Sequence, residues 1–253
     1  MVERIDEIEK YYKSVENNEI LIKVFLFITS CLSFSPFFYD FINFDKKILS
    51  ILFIISTSIY FIASQYQRYI LIPKAERMRR KQLLSNALNI ALIPENTVNY
   101  YNNDSEPSIK RLGINVLENS LFSKIVAEKM LIKIRIISCI FIVFWFSMIV
   151  YENSNFDFIM TISQLVFSGT VVMNWLNLEV LYHRYSNVYS KLYEYFLSSN
   201  TNVLIEKVFI LDALIEYECA KASAGIKLSS KIFEKINPSI SEEWIRIKNT
   251  LNI

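Results

Sequence analysis

Cationic and aromatic side chains that could hold a polyanion are concentrated between residues 67 and 131. Arginine forks match the geometry of phosphate groups, and aromatic rings offer stacking faces to any base. We therefore interpret these as candidate ligand-binding residues: Arg77, Arg79, Arg80, Lys81, Tyr100, Tyr101, Lys110 and Arg111. In a simpler interpretation the cations only flank a membrane segment and contact lipid headgroups. That interpretation is favoured for Arg68 and Lys74, and both stay open for residues 77–81.

A second set of polar residues lies in the last long apolar run of the chain. It comprises Thr161, Gln164, Ser168, Asn174 and Asn177. Amides in a bilayer need hydrogen-bonding partners or water. The set could join neighbouring helices, helped by the close approach that Gly169 permits. It could equally form the wall of an oligomeric pore or water-filled cleft, and the sequence leaves both interpretations open.

The sequence carries none of the familiar catalytic patterns. It has no glycine-rich phosphate loop, HExxH, CxxC or nucleophile elbow. The single histidine, His183, is interpreted as a residue of the membrane interface. Asp212 and Glu216 share one helical face, and we expect that face to be solvated. We therefore predict that the chain is not an enzyme and uses no cofactor or metal.

Composition indicates a helical membrane protein. The chain is 53% hydrophobic and 21% charged, with a mean hydropathy of +0.28. Only three glycines and five prolines occur in 253 residues, which favours long helices over many short strands. We expect Cys31, Cys139 and Cys219 to be buried free thiols. The net charge of +2 is local to the membrane flanks, so no DNA or RNA partner is expected.

Four apolar runs, at residues 20–42, 48–66, 132–151 and 158–182, are each near the roughly 20 residues that cross a hydrocarbon core. Short connections make them two hairpins. The basic segment 67–81 follows the second run, whereas residues 152–157 carry no Lys or Arg. Cytoplasmic flanks retain their cations, so both termini are predicted to be cytoplasmic.

The predicted fold is an all-α integral membrane protein with four transmembrane helices in two hairpins and a helical cytoplasmic body. Its parts are a cytoplasmic amphipathic helix at 1–19, a hairpin at 20–66, a cytoplasmic helical insert at 67–131, a second hairpin at 132–182 and a cytoplasmic helical tail at 183–253. We expect the N-terminal helix to pack on the cytoplasmic body in preference to the membrane surface.

Local signals predict where the helices outside the membrane begin and end. The second span is expected to continue, bent by Pro73, to about residue 90, and helical periodicity resumes at Ile109. In the tail, a helix over 202–236 carries an apolar stripe of Leu204, Val208, Leu211 and Ile215. Asn237 and Pro238 are expected to end it, and Ser239 with Glu242 forms a capping-box pattern that opens a last short helix.

This arrangement of two hairpins around a basic helical insert, with a charged helical tail, resembles a known family. The segments that carry the resemblance are R-M-R-R-K-Q-L-L, N-Y-Y-N-N-D and R-L-G-I-N-V-L-E-N-S-L-F. The family is that of the SMODS-associated four-transmembrane effectors of bacterial cyclic-oligonucleotide, CBASS-type antiphage systems.

The resemblance implies a dormant multi-pass protein of the bacterial inner membrane whose cytoplasmic part binds a cyclic oligonucleotide. The spans would then assemble as a homo-oligomer in the lipid bilayer and permeabilise it, aborting the infection. An alternative is a structural or regulatory membrane subunit that docks a soluble partner and conducts nothing. A small transporter is disfavoured, because the spans carry no charge at their centres.

Overall fold

A computed structural model of the chain describes residues 5–35, 45–95, 97–98, 100–101, 103, 105–150, 160, 163, 172–198 and 202–253. These residues form six helices: α1 Glu9–Ser33, α2 Lys46–Leu88, α3 Ile109–Val150, α4 Val172–Leu197, α5 Val203–Ala224 and α6 Ser230–Leu251. Two short strands, β1 Ile5–Asp6 and β2 Thr97–Val98, pair antiparallel. The predicted all-helical class is confirmed.

The chain divides into two compact units. The N-terminal unit contains Arg4–Arg79 and Glu95–Val98, and therefore holds α1, most of α2 and the strand pair. The C-terminal unit contains Arg80–Pro94 and Asn99–Ile253, and therefore holds the end of α2 and helices α3 to α6.

In the N-terminal unit, α1 packs along the apolar part of α2. The hydroxyls of Thr29 and Ser56 hydrogen-bond to each other at 2.7 Å. Nearer the start of α1, the Asn18 amide donates to the carbonyl oxygen of Ala63 at 3.0 Å and to Gln67 Oε1 at 3.1 Å. The predicted N-terminal helix and the start of the predicted first span thus form one continuous helix.

Helix α2 passes through Pro73 without ending. Residues Gln67–Leu71 form a π-helical turn, and α-helix resumes over Ile72–Leu88. Proline lacks an N–H, and its ring crowds the carbonyl four residues earlier, here that of Tyr69. A wider turn at that point relieves the crowding. The helix ends within two residues of the predicted position, where Asn89 adopts a φ of 54°.

The core of the C-terminal unit is built around the first half of α3. Its fully buried large side chains are Leu83, Leu112, Ile114, Leu117, Leu121, Leu131, Leu178, Leu181, Leu192, Ile210 and Trp244. Residues 112–118 of α3 are buried on every side. Helices buried all round lie at the centre of a helical core, so α4, α5 and α6 pack about α3.

The predicted boundary between the tail helices was wrong. The break falls at Gly225, which caps α5 in the left-handed region with a φ of 57°, and Ser229 Oγ then caps α6 by accepting from Ile232 N at 3.3 Å. Helix α6 runs through Pro238, and Ser239 bonds the Ile236 carbonyl oxygen instead of capping a new helix. Burial of apolar residues further along α6 outweighs the roughly 3 kcal/mol that an interior proline costs.

Within the described residues, two helices, α2 and α3, are long and apolar enough to cross a membrane. Only 11% of the apolar stretch of α2 and 6% of that of α3 is buried, whereas the core helix of a globular domain is mostly buried. The first and fourth predicted spans, 20–42 and 158–182, extend into residues outside the described part. Four spans and the position of the termini stay predictions.

The three cysteines are not buried, contrary to the prediction. Cys31, Cys139 and Cys219 are free thiols with exposed side chains. They lie on the outer faces of α1, α3 and α5 respectively, because the inner face of each helix is occupied by other residues. Periodicity alone did not identify which face of these helices is packed.

Gly113 of α3 lies directly against Ile210 of α5, which makes it a test of this packing. A Cβ at this position would lie 2.7 Å from Ile210 Cδ1 and 2.8 Å from Ile210 Cγ1. Overpacking of a core costs about 1–3 kcal/mol, against about 1 kcal/mol gained by replacing a helical glycine with alanine. We predict that Gly113→Ala lowers the free energy of unfolding by about 1 kcal/mol, measured by denaturation of the detergent-solubilised protein.

Ile210→Val supplies the control, because it removes the Cδ1 atom that the new methyl group would meet. The double variant should lose less stability than the sum of the two single variants. Strictly additive losses, or a stabilised Gly113→Ala protein, would contradict this packing.

Candidate functional site

The eight candidate ligand-binding residues fall in two groups. Arg77 and Arg79 belong to the N-terminal unit, and the other six belong to the C-terminal unit. Their partners decide which of them remain available to a ligand.

Arg79 is held by an acidic side chain near the N-terminus. Its guanidinium donates two hydrogen bonds to Asp6, at 2.8 Å from Nη2 to Oδ2 and 3.2 Å from Nη1 to Oδ1. Both side chains are largely buried, and the Tyr12 ring lies 5.5 Å from the guanidinium carbon. A bidentate pair of this kind is geometrically specific. Arg79 therefore anchors β1 to α2, whereas Arg77, two residues earlier, is exposed.

A second contact fastens the start of α1 in the same unit. The Tyr11 hydroxyl donates to Glu95 Oε1 at 2.7 Å, and Lys10 Nζ lies 3.1 Å from the same oxygen. Only 6% of the Glu95 side chain is exposed. The hydrogen bond from Tyr11, followed by that from Lys10, lowers the pKa of Glu95, although burial opposes the shift. The carboxylate is thus stabilised in its charged form.

In the C-terminal unit, Arg111 serves as an internal brace. Its Nη1 donates to the Ser105 carbonyl oxygen at 3.0 Å, and its Nη2 lies 3.5 Å from Asn86 Oδ1. Asn86 Oδ1 also accepts from the fully buried Asn115 at 3.0 Å. Asn115 in turn accepts from Asn103 at 2.9 Å. This asparagine network ties the end of α2 to α3 and to the segment before α3.

The two candidate tyrosines lie beside this network. Tyr101 is buried, and its hydroxyl accepts from the Asn119 amide at 3.2 Å. Tyr100 is half-buried and meets the Tyr101 ring edge to face, with 4.9 Å between the ring centres. The Tyr101 ring is therefore core, and its faces are covered in this conformation.

Three of the candidate cations in the C-terminal unit have exposed side chains: Arg80, Lys81 and Lys110. Arg80 is 3.6 Å from Glu218, which also accepts from Lys221 at 3.2 Å. The Arg80 side chain is 45% exposed, whereas only 10% of the Glu218 side chain is, and the contact of Glu218 with Lys221 does not depend on Arg80. A stronger anion could therefore take Arg80 from Glu218 at small cost.

Only part of the polar set in the fourth predicted span can be placed. Thr161, Gln164 and Ser168 lie outside the described residues. Asn174 and Asn177 lie in the first turns of α4, the first exposed and the second half-buried. Both interpretations of the set, a wall that lines water and a contact that joins helices, therefore stay predictions.

A cluster that the sequence interpretation missed joins α3 to α4. Glu179 on α4 accepts hydrogen bonds from Nε and Nη2 of Arg135, with Nε at 3.0 Å from Oε2. Trp175 Nε1 donates to the same oxygen at 3.1 Å, and His183 Nε2 lies 3.6 Å from Oε1. The signal in the sequence was the opposite charge of Arg135 and Glu179, which lie at corresponding ends of two predicted spans.

A cleft of about 590 Å³ opens between α4 and α5. Lys191 projects into it and contacts both Asp212 and, at 3.3 Å, Glu216. The hydrogen bond to Asp212, and secondarily that to Glu216, raises the pKa of Lys191. The two carboxylates that we expected to be solvated thus hold one ammonium group. Because Lys191 stays charged and paired, it is not poised to act as a nucleophile or base.

In the described part of the chain, no group of three or more His, Cys, Asp and Glu side chains could hold a metal ion. Comparisons of the chain with known protein families, with curated proteins and with solved structures find no match. The assignment of function therefore rests on the chain's own residues.

The contact between Tyr11 and Glu95 predicts a pH dependence for the N-terminal unit. A carboxyl group whose pKa is lowered on folding stabilises the fold above its ordinary pKa of about 4.3, and this contribution is lost as the pH falls through the lowered value. Hydrogen-exchange protection over residues 5–12 should therefore decrease below about pH 4. Tyr11→Phe should reduce that protection several-fold at pH 7 and flatten its pH dependence, because the donor to Glu95 is removed.

Tyr69→Phe is the matched control, since the Tyr69 ring is exposed on the same unit. It should leave both the protection and its pH profile unchanged. If Tyr11→Phe showed wild-type protection both at pH 7 and below about pH 4, the Tyr11 hydroxyl would not be what fastens this segment.

Proposed function

We propose that this chain is a membrane-embedded effector of bacterial antiphage defence that permeabilises the inner membrane when its cytoplasmic body binds a cyclic oligonucleotide. The membrane part of the proposal rests on the apolar stretches of α2 and α3, which are mostly exposed. Only 11% of the stretch in α2 and 6% of the stretch in α3 is buried. Surfaces this large and continuous are stable when lipid or another protein covers them. The proposed role is not enzymatic.

The charge distribution supports an anionic ligand in the C-terminal unit. Arg80, Lys81 and Lys110 are exposed, and the acidic residue beside Arg80, Glu218, is 3.6 Å away and shared with Lys221. Arg79, Tyr101 and Arg111 are committed to structural contacts. Of the eight ligand-binding residues proposed from the sequence, we therefore retain Arg80, Lys81 and Lys110. A phosphate group can reach these cations without unfolding the core.

For a ligand to act, it must bind one state of the protein more tightly than the other. A cyclic oligonucleotide that took Arg80 from Glu218 would free a carboxylate on α5, next to Lys221. Binding energy would then change the packing of α5 against the end of α2, both within the C-terminal unit. We propose this exchange of ion pairs as the first step of activation.

The test uses the full chain in vesicles loaded with a self-quenched dye. A panel of cyclic di- and trinucleotides should release dye from wild-type vesicles, and the triple variant Arg80→Ala, Lys81→Ala and Lys110→Ala should lose the response. The matched control replaces three exposed cations of α6, Lys231, Lys235 and Arg246, and so removes the same charge. Equal release by the wild type and the first variant would refute the proposed ligand site.

A second variant tests the permeation path. Gln164→Leu with Asn174→Leu should abolish dye release at unchanged nucleotide binding, because polar side chains that would line water are replaced by apolar ones. Met173→Leu, an apolar exchange at an exposed neighbouring position, serves as the control. Undiminished dye release by the double variant would contradict the proposal that these side chains line a pore. An inserted wild-type protein that releases no dye with any nucleotide would favour the non-conducting, partner-docking subunit.

A further inference from the structure

Helix α5 turns a stripe of large apolar side chains away from its own core. The stripe consists of Leu204, Val208, Leu211 and Ile215. Their exposed fractions lie between 43% and 71%, although each is an ordinary core residue by type. The opposite side of α5 is buried in the C-terminal unit through Ile210, Ala213 and Tyr217. The stripe is therefore an additional apolar face, which we call the α5 seam.

The spacing within the α5 seam is that of a coiled coil. The residues follow each other at intervals of four, three and four, which places Leu204 and Leu211 at d positions and Val208 and Ile215 at a positions. In parallel coiled coils, β-branched residues at a with leucine at d favour two strands. The residue types and their order in the seam satisfy that rule at all four positions.

The charged residues beside the seam complement a second copy of the same helix. Lys207 occupies a g position. Asp212, five residues later, occupies the e position of the following heptad. In a parallel two-stranded coiled coil the g residue of one helix meets that e residue of its partner. Both side chains are exposed, and 62% of the Asp212 side chain remains so despite its contact with Lys191. Each pair of helices would gain two such ion pairs.

The same charges disfavour a lipid surface as the occupant of the seam. Helices that lie on anionic membranes carry Lys and Arg along the polar side of their apolar face. Here that side carries Asp212 and Glu216 as well as Lys207. Acidic residues beside the seam would be repelled by anionic lipid headgroups, whereas they match the Lys207 of another copy.

We propose that the α5 seam pairs with the α5 seam of a second copy of this chain, in register and parallel, as a two-stranded coiled coil. The parallel orientation rests on the proposed membrane insertion with α5 running along the bilayer normal, because copies inserted in the same sense are then related by an axis parallel to that helix. The seam ends at the next d position, which is the ion-paired Glu218. Two heptads form a short interface, so confinement in the membrane supplies the local concentration that stabilises the pair.

Disulfide trapping in vesicles tests the register. In a background with Cys31, Cys139 and Cys219 replaced by alanine, Leu211→Cys places one thiol at a d position. A parallel in-register pair brings two such positions within the Cα separation of about 4.4–6.8 Å that a disulfide requires. Mild oxidation should convert most of the membrane-inserted protein to a covalent dimer without any nucleotide.

Val203→Cys is the matched control, because it is an exposed apolar position of the same helix outside the seam. It should yield at least tenfold less dimer than Leu211→Cys at equal maleimide reactivity. Equal yields at the two positions, or no dimer from Leu211→Cys, would overturn the proposal. Dimers formed only in mixtures of Val208→Cys with Leu211→Cys would indicate antiparallel helices and would also overturn it.

The flanking charges give an independent measurement. In the Leu211→Cys protein, Lys207→Glu would place a negative charge opposite Asp212 of the second copy and should reduce the yield of covalent dimer about fivefold. Lys207→Arg should retain the yield. An unchanged yield in Lys207→Glu would refute the assigned ion pairs. Flotation of the vesicles reports insertion separately, and dye release reports permeabilisation, so failure of the coiled coil is distinguishable from failure of the proposed function.

Discussion

The C-terminal unit depends on one helix, α3, whose two halves have different surfaces. Its 42 residues extend roughly 63 Å. The first half is buried on nearly every side by α4, α5 and α6, whereas the second half presents bulky apolar side chains outward. An α-helix satisfies its backbone hydrogen bonds internally, so the same backbone can leave a protein core and enter hydrocarbon without leaving donors or acceptors unpaired.

The change of surroundings falls where cations appear on α3. Leu131 is the last fully buried large residue, and Lys133 and Arg135 follow within one turn. Arg135 donates to Glu179 of α4, and this contact fixes the register of α3 along α4. Because α3 is unbroken, a change in packing around its buried half would reach the outer half through a continuous helix. In the proposed mechanism, α3 would be the element whose packing a ligand at the C-terminal unit biases.

The sequence was sufficient for the parts of the fold that depend on local periodicity. The start of α3 at Ile109 and the end of α2 near residue 90 were predicted from apolar spacing. The break in the tail was not, because the rule that proline ends helices competed with the left-handed cap at Gly225. The candidate site was predictable only as a set of cations. Their partners are remote in sequence, as Asp6 is 73 residues from Arg79, and no local pattern shows which cations are already engaged.

Helix α5 illustrates why periodicity cannot assign a core face when a helix has two apolar faces. Its seam of Leu204, Val208, Leu211 and Ile215 has the stronger pattern, yet the structure buries the other side. That side contains Ala213 and Ala220 among its buried residues. Small residues let a neighbouring backbone approach closely, as Gly113 of α3 does opposite Ile210. The buried side also holds Ile210, Leu214 and Tyr217, so it accommodates large side chains as well as small ones. What distinguishes the seam is its heptad spacing, which in the proposed pairing would be matched by the same helix of a second copy.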